Sequence, residues 1–355
     1  TGDIADLKDI LCSASTKSAF TALRSTGQVI TWGDIVAPEE ITGLSDIIRI
    51  SASGRSFAAL RSNGQVAAWG DANSGGSVPE NISKLEDIIS VTGSMLGFTA
   101  LRMSGQVVAW GGNSVPSEIA KLDDIVSVKA SVSSYAALRS TGQVVAWGMP
   151  DNGGVIPSAI AGLTDLIEII PGNFAFAARR KNGAVVAWGA ADRGGTIPQE
   201  ITQLTDIETI TSNFTAFTAL RSSGQVVAWG RPESGGSVPE SISSLHDIVQ
   251  VAGTSIQYDT RGAFAALRAN GTVVSWGQSA GGTINNDINA QLTRVRAIYV
   301  NGNDVFTALT SDGRVVTWGN ANNGADSSQV QSLLTGQISY EAPLSGNKLS
   351  SKEGI

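Results

Sequence analysis

The chain has little of what most enzyme chemistry needs: among 355 residues there is one cysteine, Cys12, and one histidine, His246. A lone cysteine cannot form an internal disulfide and indicates neither redox compartment, so Cys12 is expected to be a buried small hydrophobe. Zinc clusters of His and Cys have no material here, and any His-dependent triad would have to use His246. Charge is also scarce, at 15% of residues, with 24 basic against 31 acidic side chains for a net charge of −7. Nucleic acid is therefore not an expected partner, because sequence-independent binding of phosphates draws on a surplus of Lys and Arg. No apolar run approaches the ~20 residues that cross a bilayer, so no membrane span is expected. The start at Thr1, with no basic and apolar leader, reads as a processed or excised segment.

What is abundant is glycine, 41 residues, and repetition. All eight tryptophans precede a glycine: Trp32, Trp69, Trp110, Trp147, Trp188, Trp229, Trp276 and Trp318. Their spacings of 37, 41, 37, 41, 41, 47 and 42 residues match one small β-blade and are too long for a coil of a β-helix. Each unit carries three apolar stretches, a, b and c, such as Asp87-Ile88-Ile89-Ser90-Val91, Phe98-Thr99-Ala100-Leu101-Arg102 and Gln106-Val107-Val108-Ala109-Trp110-Gly111. Stretches b and c are joined by glycine-ended turns such as Ser-Asn-Gly, which supply the positive φ of a tight antiparallel hairpin. The Val, Ile, Thr, Phe and Trp content favours strands, and the Gly-broken tracts are too short for helices. Successive apolar positions in Val107-Val108-Ala109-Trp110 imply that both faces of each small sheet are covered.

Sheets stacked face to face around an axis give the expected fold: all-β, an eight-bladed β-propeller with small antiparallel blades. It is read as one domain over residues 1–342, followed by a polar tail over 343–355. Leucine stands two residues before each a stretch, from Leu7 to Leu292, and Leu334 repeats the position ahead of a ninth, Gly336-Gln337-Ile338-Ser339-Tyr340. That surplus stretch is expected to close the ring, with Ile338 and Tyr340 near Asp9-Ile10-Leu11. Pro38, Pro79, Pro116, Pro157, Pro198 and Pro239 lie eight residues before their a stretches and mark extended edges or crossovers. Asn286 and Ser328 replace proline in the last two units, where looser closure is expected.

Phe217-Thr218-Ala219-Leu220-Arg221 with Gln225-Val226-Val227-Ala228-Trp229-Gly230, recurring over roughly residues 5–340, resembles the regulator of chromosome condensation repeat family in its short bacterial form. The resemblance implies three-stranded blades, and that branch includes a secreted β-lactamase inhibitor. It also suggests a bacterial module that is secreted or on the cell surface. The chain departs from the family where His often precedes strand b, having Ala19, Ser56, Gly97, Ser134, Ala175, Ala216, Ala263 and Val305 there. It also lacks the Gly-Gln-Leu-Gly segment of the long eukaryotic repeats, so nucleotide exchange on a GTPase is carried over to no residue.

Residues repeated in every unit are expected to build the fold. On that ground the Trp-Gly pairs are read as packing between blades, the arginines from Arg24 to Arg268 as solvated or locally paired, and the aspartates from Asp9 to Asp247 as turn or edge residues rather than an acid/base pair. His246 has Ser45, Glu86, Asp123, Thr164 and Thr205 as sister residues, which marks a tolerant, exposed position. Asp151-Asn152-Gly153-Gly154 and Asn320-Ala321-Asn322-Asn323-Gly324 offer oxygen atoms without calcium-loop spacing. No catalytic residue, metal or cofactor is expected, and the chain is read as a non-enzyme.

Residues that differ between units are free to recognise something. In units two and four the link after Trp-Gly is four residues shorter, as in Asp34 to Pro38 against Asp71 to Pro79. The a-to-b connections carry apolar residues that turns do not need: Met95, Leu96, Phe174, Phe214 and Tyr258, with Arg261 in a six-residue excess between Asp247 and Phe264. Aromatic and Arg side chains on a rigid rim are typical interface anchors. The expected function is therefore non-catalytic recognition of a protein partner through variable loops on one face. Alternatives are a carbohydrate-binding, lectin-like propeller, kept alive by the tryptophans, and an enzyme inhibitor by analogy to the short-repeat relative.

Overall fold

Every hairpin anticipated from the Gly-ended turns is formed, and each is flanked by its a strand. The computed structural model describes residues 7–255, 261–300 and 304–327. The ninth a stretch with Leu334, Ile338 and Tyr340, the tail over 343–355, Ser328 and Tyr258 all lie outside the described residues. Eight separate three-stranded antiparallel sheets follow one another in the order a-b-c. They occupy residues 10–33, 47–70, 88–111, 125–148, 166–189, 207–230, 248–277 and 295–319, and are called blades one to eight. This is the all-β, three-stranded blade architecture of an eight-bladed propeller. Contacts group the blades into two compact units, residues 1–181 with 188–190 and residues 182–187 with 191–355, the division falling within blade five.

The core is a series of layers between successive blades. One layer joins Ala58, Leu60 and Val66 of blade two to Ile88, Phe98, Ala100 and Trp110 of blade three. Another joins Leu220 and Val226 of blade six to Ile248, Phe264, Ala266 and Trp276 of blade seven. Covering both faces of the hairpin explains the unbroken apolar runs of strands b and c. Within each blade the first aromatic of strand b lies against the tryptophan directly opposite in strand c, as with Phe217 stacked on Trp229, whose ring centroids lie 5.4 Å apart.

The b-to-c turn also holds the next blade. Gly64, at φ +81°, ends the turn of blade two, and its carbonyl accepts the amide of Ile88, the first residue of the next a strand, at 3.0 Å. The same bond runs from Ile47 to Gly27, Ile125 to Gly105, Leu166 to Gly142, Ile207 to Gly183, Ile248 to Gly224 and Val295 to Gly271. A Cβ on Gly64 would stand 2.2 Å from the carbonyl oxygen of Glu86, so both the left-handed backbone and the approach of the neighbouring chain require glycine.

The links are more structured than the sequence suggests. Past each proline the chain makes one helical turn, as in Glu80–Ser83, whose Ile82 is buried. Proline is extended at the N-cap, Pro79 having φ −59° and ψ 148°, and its carbonyl accepts the amides of Ile82 and Ser83. A single turn is too short to show as a helical period, and the buried isoleucine holds it. In the link to blade eight the cap held elsewhere by proline is Asn285 rather than Asn286, its side chain accepting from the amide of Ile288 ahead of the longer helix Asn286–Gln291, which Asn286 begins.

Cys12 is exposed, contrary to expectation. It lies in strand a of blade one (Ile10–Ser15), which is exposed at nearly every position, whereas strand a of later blades begins on a buried residue held by the preceding turn.

Gly64→Ala should lower stability by about 2–4 kcal/mol through backbone strain and overpacking. Urea denaturation measures it, with Arg102→Ala as the control: that side chain bonds Asp87 and Gln106 at a partly exposed site and should cost under about 1 kcal/mol.

Candidate functional site

The a-to-b connections are tight turns. In blade two the amide of Ser53 donates to the carbonyl of Ser56 at 2.8 Å, leaving Gly54 and Arg55 at the tip. Equivalent bonds join Thr16 to Ala19, Ser94 to Gly97, Ser131 to Ser134, Gly172 to Ala175 and Asn213 to Ala216. The tip pairs are therefore Lys17-Ser18, Gly54-Arg55, Met95-Leu96, Val132-Ser133, Asn173-Phe174 and Phe214-Thr215, and no two are alike.

In the first unit these tips form a bonded row. The amide of Met95 donates to the carbonyl of Val132 at 3.0 Å, and the amide of Val132 donates to the carbonyl of Asn173 at 3.1 Å. Gly54 lies against Met95, the position of its absent Cβ being 2.6 Å from the Met95 carbonyl oxygen. Met95 and Leu96 are 42% and 43% exposed, and Phe174 is half-buried beside Asn173. Of the six residues singled out from the sequence, the structure thus brings Met95, Leu96 and Phe174 onto one row. In the second unit Phe214 is half-buried at its tip and Arg261 is exposed, while Tyr258 is outside the described residues. Val132, the link between the two tips, was missed because a lone valine in a turn gives no signal.

The repeated residues have structural partners. Arginine and aspartate, two separate counters in the sequence, are one interaction: Nε of Arg102 donates to both carboxylate oxygens of Asp87 at 3.0 and 3.1 Å. The pairing recurs for Arg24 with Asp9, Arg61 with Asp46, Arg139 with Asp124, Arg180 with Asp165, Arg221 with Asp206 and Arg268 with Asp247. In blade eight Thr310 and Arg294 occupy the two positions. His246 is exposed, with Nδ1 3.0 Å from the carbonyl oxygen of Ser244. Among the described residues no group of three or more His, Cys, Asp or Glu is placed to hold a metal ion.

Seven of the eight tryptophans are buried and only Trp32 is half-buried, so those seven present no ring face to a sugar. Where the preceding link is long, the indole N–H donates to a link carbonyl, Trp110 to Gly75 at 2.9 Å and Trp188 to Gly153 at 3.0 Å. Gly153 belongs to the Asp151–Gly154 segment, so that run of oxygen atoms serves a neighbouring blade. Trp69 and Trp147 follow the two shortened links, and their buried indole N–H groups have no acceptor.

A second apolar feature was missed. In every blade the a–b pairing slips by one residue just after its first pair, as between Ile88 and Ser90. Such a bulge turns one side chain outward. In the first unit the bulged residues are Leu11, Ile48, Ile89, Val126 and Ile167, which are 38–66% exposed. They lie at the end of the blade remote from the a-to-b tips. Their sequence signal is two apolar residues in succession at the start of stretch a, as in Ile88-Ile89. In the second unit Glu208, Val249 and Arg296 hold the position.

No family model and no curated protein matches the chain. Among solved structures it is similar to the ectodomain of the receptor kinase CR4 from Physcomitrella patens, at 19% identity, covering 78% of this chain and 74% of that one with a TM-score of 0.47. It is similar to yeast RCC1, solved bound to Kap60, at 17% identity, with 77% and 70% covered and a TM-score of 0.44. It is also similar to the CRINKLY WD40 ectodomain of the Arabidopsis thaliana receptor kinase ACR4, at 17% identity, with 74% and 90% covered and a TM-score of 0.43. Likeness at this level says nothing of what the chain binds.

Because the Trp147 indole has no bond to lose, Trp147→Phe should cost about 1 kcal/mol less than Trp188→Phe, which leaves the Gly153 carbonyl without its donor. Chemical denaturation of the two variants in parallel gives the difference.

Proposed function

We propose that the chain is a non-catalytic scaffold that holds a protein partner on its a-to-b turn tips. The observation that carries this reading is the bonded row in the first unit, where Met95, Leu96 and Phe174 stand on turns locked to one another through Met95, Val132 and Asn173. A partner meeting such a row orders little backbone on binding, and Met and Phe, here the exposed Met95 and the half-buried Phe174, are residue types enriched at interfaces. Difference from blade to blade at these tips gives the row a composition that no neighbouring turn repeats, which is what recognition of a single epitope needs. A secreted or cell-surface setting belongs to the same proposal.

The exposed bulge residues favour a second reading, in which the contact lies at the opposite end of the blades, over Leu11, Ile48, Ile89, Val126 and Ile167. Five aliphatic side chains in consecutive blades form an apolar row that blade packing does not use.

Partner proteins recovered by affinity capture and identified by mass spectrometry allow a direct comparison by calorimetry. Met95→Ala combined with Phe174→Ala should weaken the purified complex at least ten-fold, with Ile89→Ser combined with Val126→Ser leaving it unchanged. The reverse pattern would move the contact to the bulge row. Several weak, equivalent hits on a glycan array, with no protein captured, would instead support the lectin reading.

A further inference from the structure

We propose that a pocket between the a strands of blades one, two and three binds a small carboxylic acid with an aliphatic chain, its carboxylate held by Arg49. The pocket lies wholly within the first unit and does not depend on the partner contact at the turn tips. Ile50, Leu60 and Val91 give it an apolar wall, and Cys12, Arg49 and Ser90 a polar one. Ser51 completes the lining, but its hydroxyl is spent on the Val91 carbonyl at 2.9 Å.

Arg49 carries a charge that the fold does not use. Just after the bulge, each a strand sets one residue opposite the last but one of strand b, as Arg49 faces Leu60 in blade two. That strand b residue is leucine in every blade but the fifth, from Leu23 to Leu309. The residue facing it is uncharged except in blades two and five. In blade five both positions change together: Glu168 faces Arg179, whose Nε donates to the Glu168 carboxylate at 3.3 Å. Where blade five brings in a charge, it brings in the opposite one as well. Blade two keeps its leucine, and among the described residues Arg49, which is exposed, pairs with no carboxylate. Cys12 supplies no counter-charge either, because partial desolvation pushes its thiol up from the usual value and leaves it neutral at neutral pH.

The missing counter-ion defines the ligand. A guanidinium presents parallel N–H donors in one plane, the geometry that two carboxylate oxygens accept, and Ser90 adds a hydroxyl on the same wall. One positive charge beside an apolar wall fits a monoanion that carries a hydrocarbon chain. Inorganic phosphate would bring a second charge and cover no apolar surface. A chain laid along Ile50 and Val91, both half-buried, removes apolar area on both sides from water, so the tail contributes affinity and the carboxylate sets orientation.

Cys12 is the single cysteine of the chain, so its alkylation reports on this pocket alone. The test follows its reaction with iodoacetamide by intact mass on the full chain, with hexanoate as the probe. Hexanoate should slow the reaction saturably, while hexanol and inorganic phosphate at the same concentration leave the rate unchanged. Arg49→Gln should weaken the apparent affinity for hexanoate about ten-fold or more, the loss expected on removing a hydrogen bond to a charged group. Arg55→Gln, at an exposed turn tip, should keep full protection, each variant's rate without hexanoate serving as its own reference. A wild-type rate that hexanoate does not alter overturns the proposal, as does undiminished protection in Arg49→Gln. Equal protection by hexanol would show an apolar site indifferent to charge, and equal protection by phosphate an unselective anion site; either result also overturns it.

Discussion

A blade of three short strands cannot bury its own aromatic pair, and this constraint organises the structure. The stacked Phe and Trp rings have one face on their own sheet, and the other must be covered by the blade before. Burying side chains of this size is worth roughly 1.5–3 kcal/mol each, and the stacking adds about 0.5–1.5 kcal/mol to a pair. A repeat of this kind takes its stability from its neighbour, so nearest-neighbour contacts decide which residues are invariant. Glycine in the turn lets the next strand a bond to the turn carbonyl. Glycine in the link lets a ring lie on the backbone and supplies the acceptor for its indole. These demands recur at every junction, which is why eight copies of the motif agree so closely.

The shortened links show what happens when one demand is dropped. Removing four residues deletes the left-handed glycine and its carbonyl, and the tryptophans that follow, Trp69 and Trp147, are left with a buried N–H and no acceptor. Blade four carries a substitution that refills part of the space. Tyr135 stands where other blades have Phe, its hydroxyl donating to Ser94 Oγ at 2.8 Å and receiving the side-chain amide of Asn113 from the short link. Burial pushes the Tyr135 hydroxyl up to about 12, so it stays neutral and keeps donating. Blade two has Phe57 at this position, and its link contains no residue equivalent to Asn113, so there the loss of the carbonyl is uncompensated.

The repeat, strand order and hairpin turns were legible because each is written several times in the sequence, so that chance matches cancel and shared physics remains. Features that depend on contact between distant residues were not. Arginine and aspartate stood out as two periodic positions fifteen residues apart, yet nothing in one dimension showed that they bond across strands a and b. A single helical turn over Glu80–Ser83 is shorter than any period that could reveal it. The bulge at Ile89 has no local marker, since it comes from a mismatch between two strands. Cys12 was misjudged for a related reason: its neighbours in sequence are apolar, but the surface that would cover strand a of blade one is not made by those neighbours. At the candidate site, Met95, Leu96 and Phe174 were readable as apolar residues where a turn needs none, whereas the backbone bonds that align them through Val132 appear only in three dimensions.

Invariance and variation therefore divide the blade along its length. At the end where strand b turns into strand c, every residue is committed: the glycine to the next blade, the arginine to its aspartate, and the aspartate carbonyl to the amide following the arginine, as from Met103 to Asp87 at 2.7 Å. A substitution of the turn glycine is felt in two blades at once. At the end where a turns into b, the tip is bonded at its base and through the carbonyl of its second residue, as from Gly112 to Leu96 at 2.7 Å, while side chains such as Met95 and Leu96 stay exposed. A chain that repeats one solution to its packing problem can change those tips one at a time without disturbing the layers below. Specificity can accumulate at the tips at little cost in stability, and the rigid row through Met95, Val132 and Asn173 converts such changes into a fixed surface rather than a flexible one.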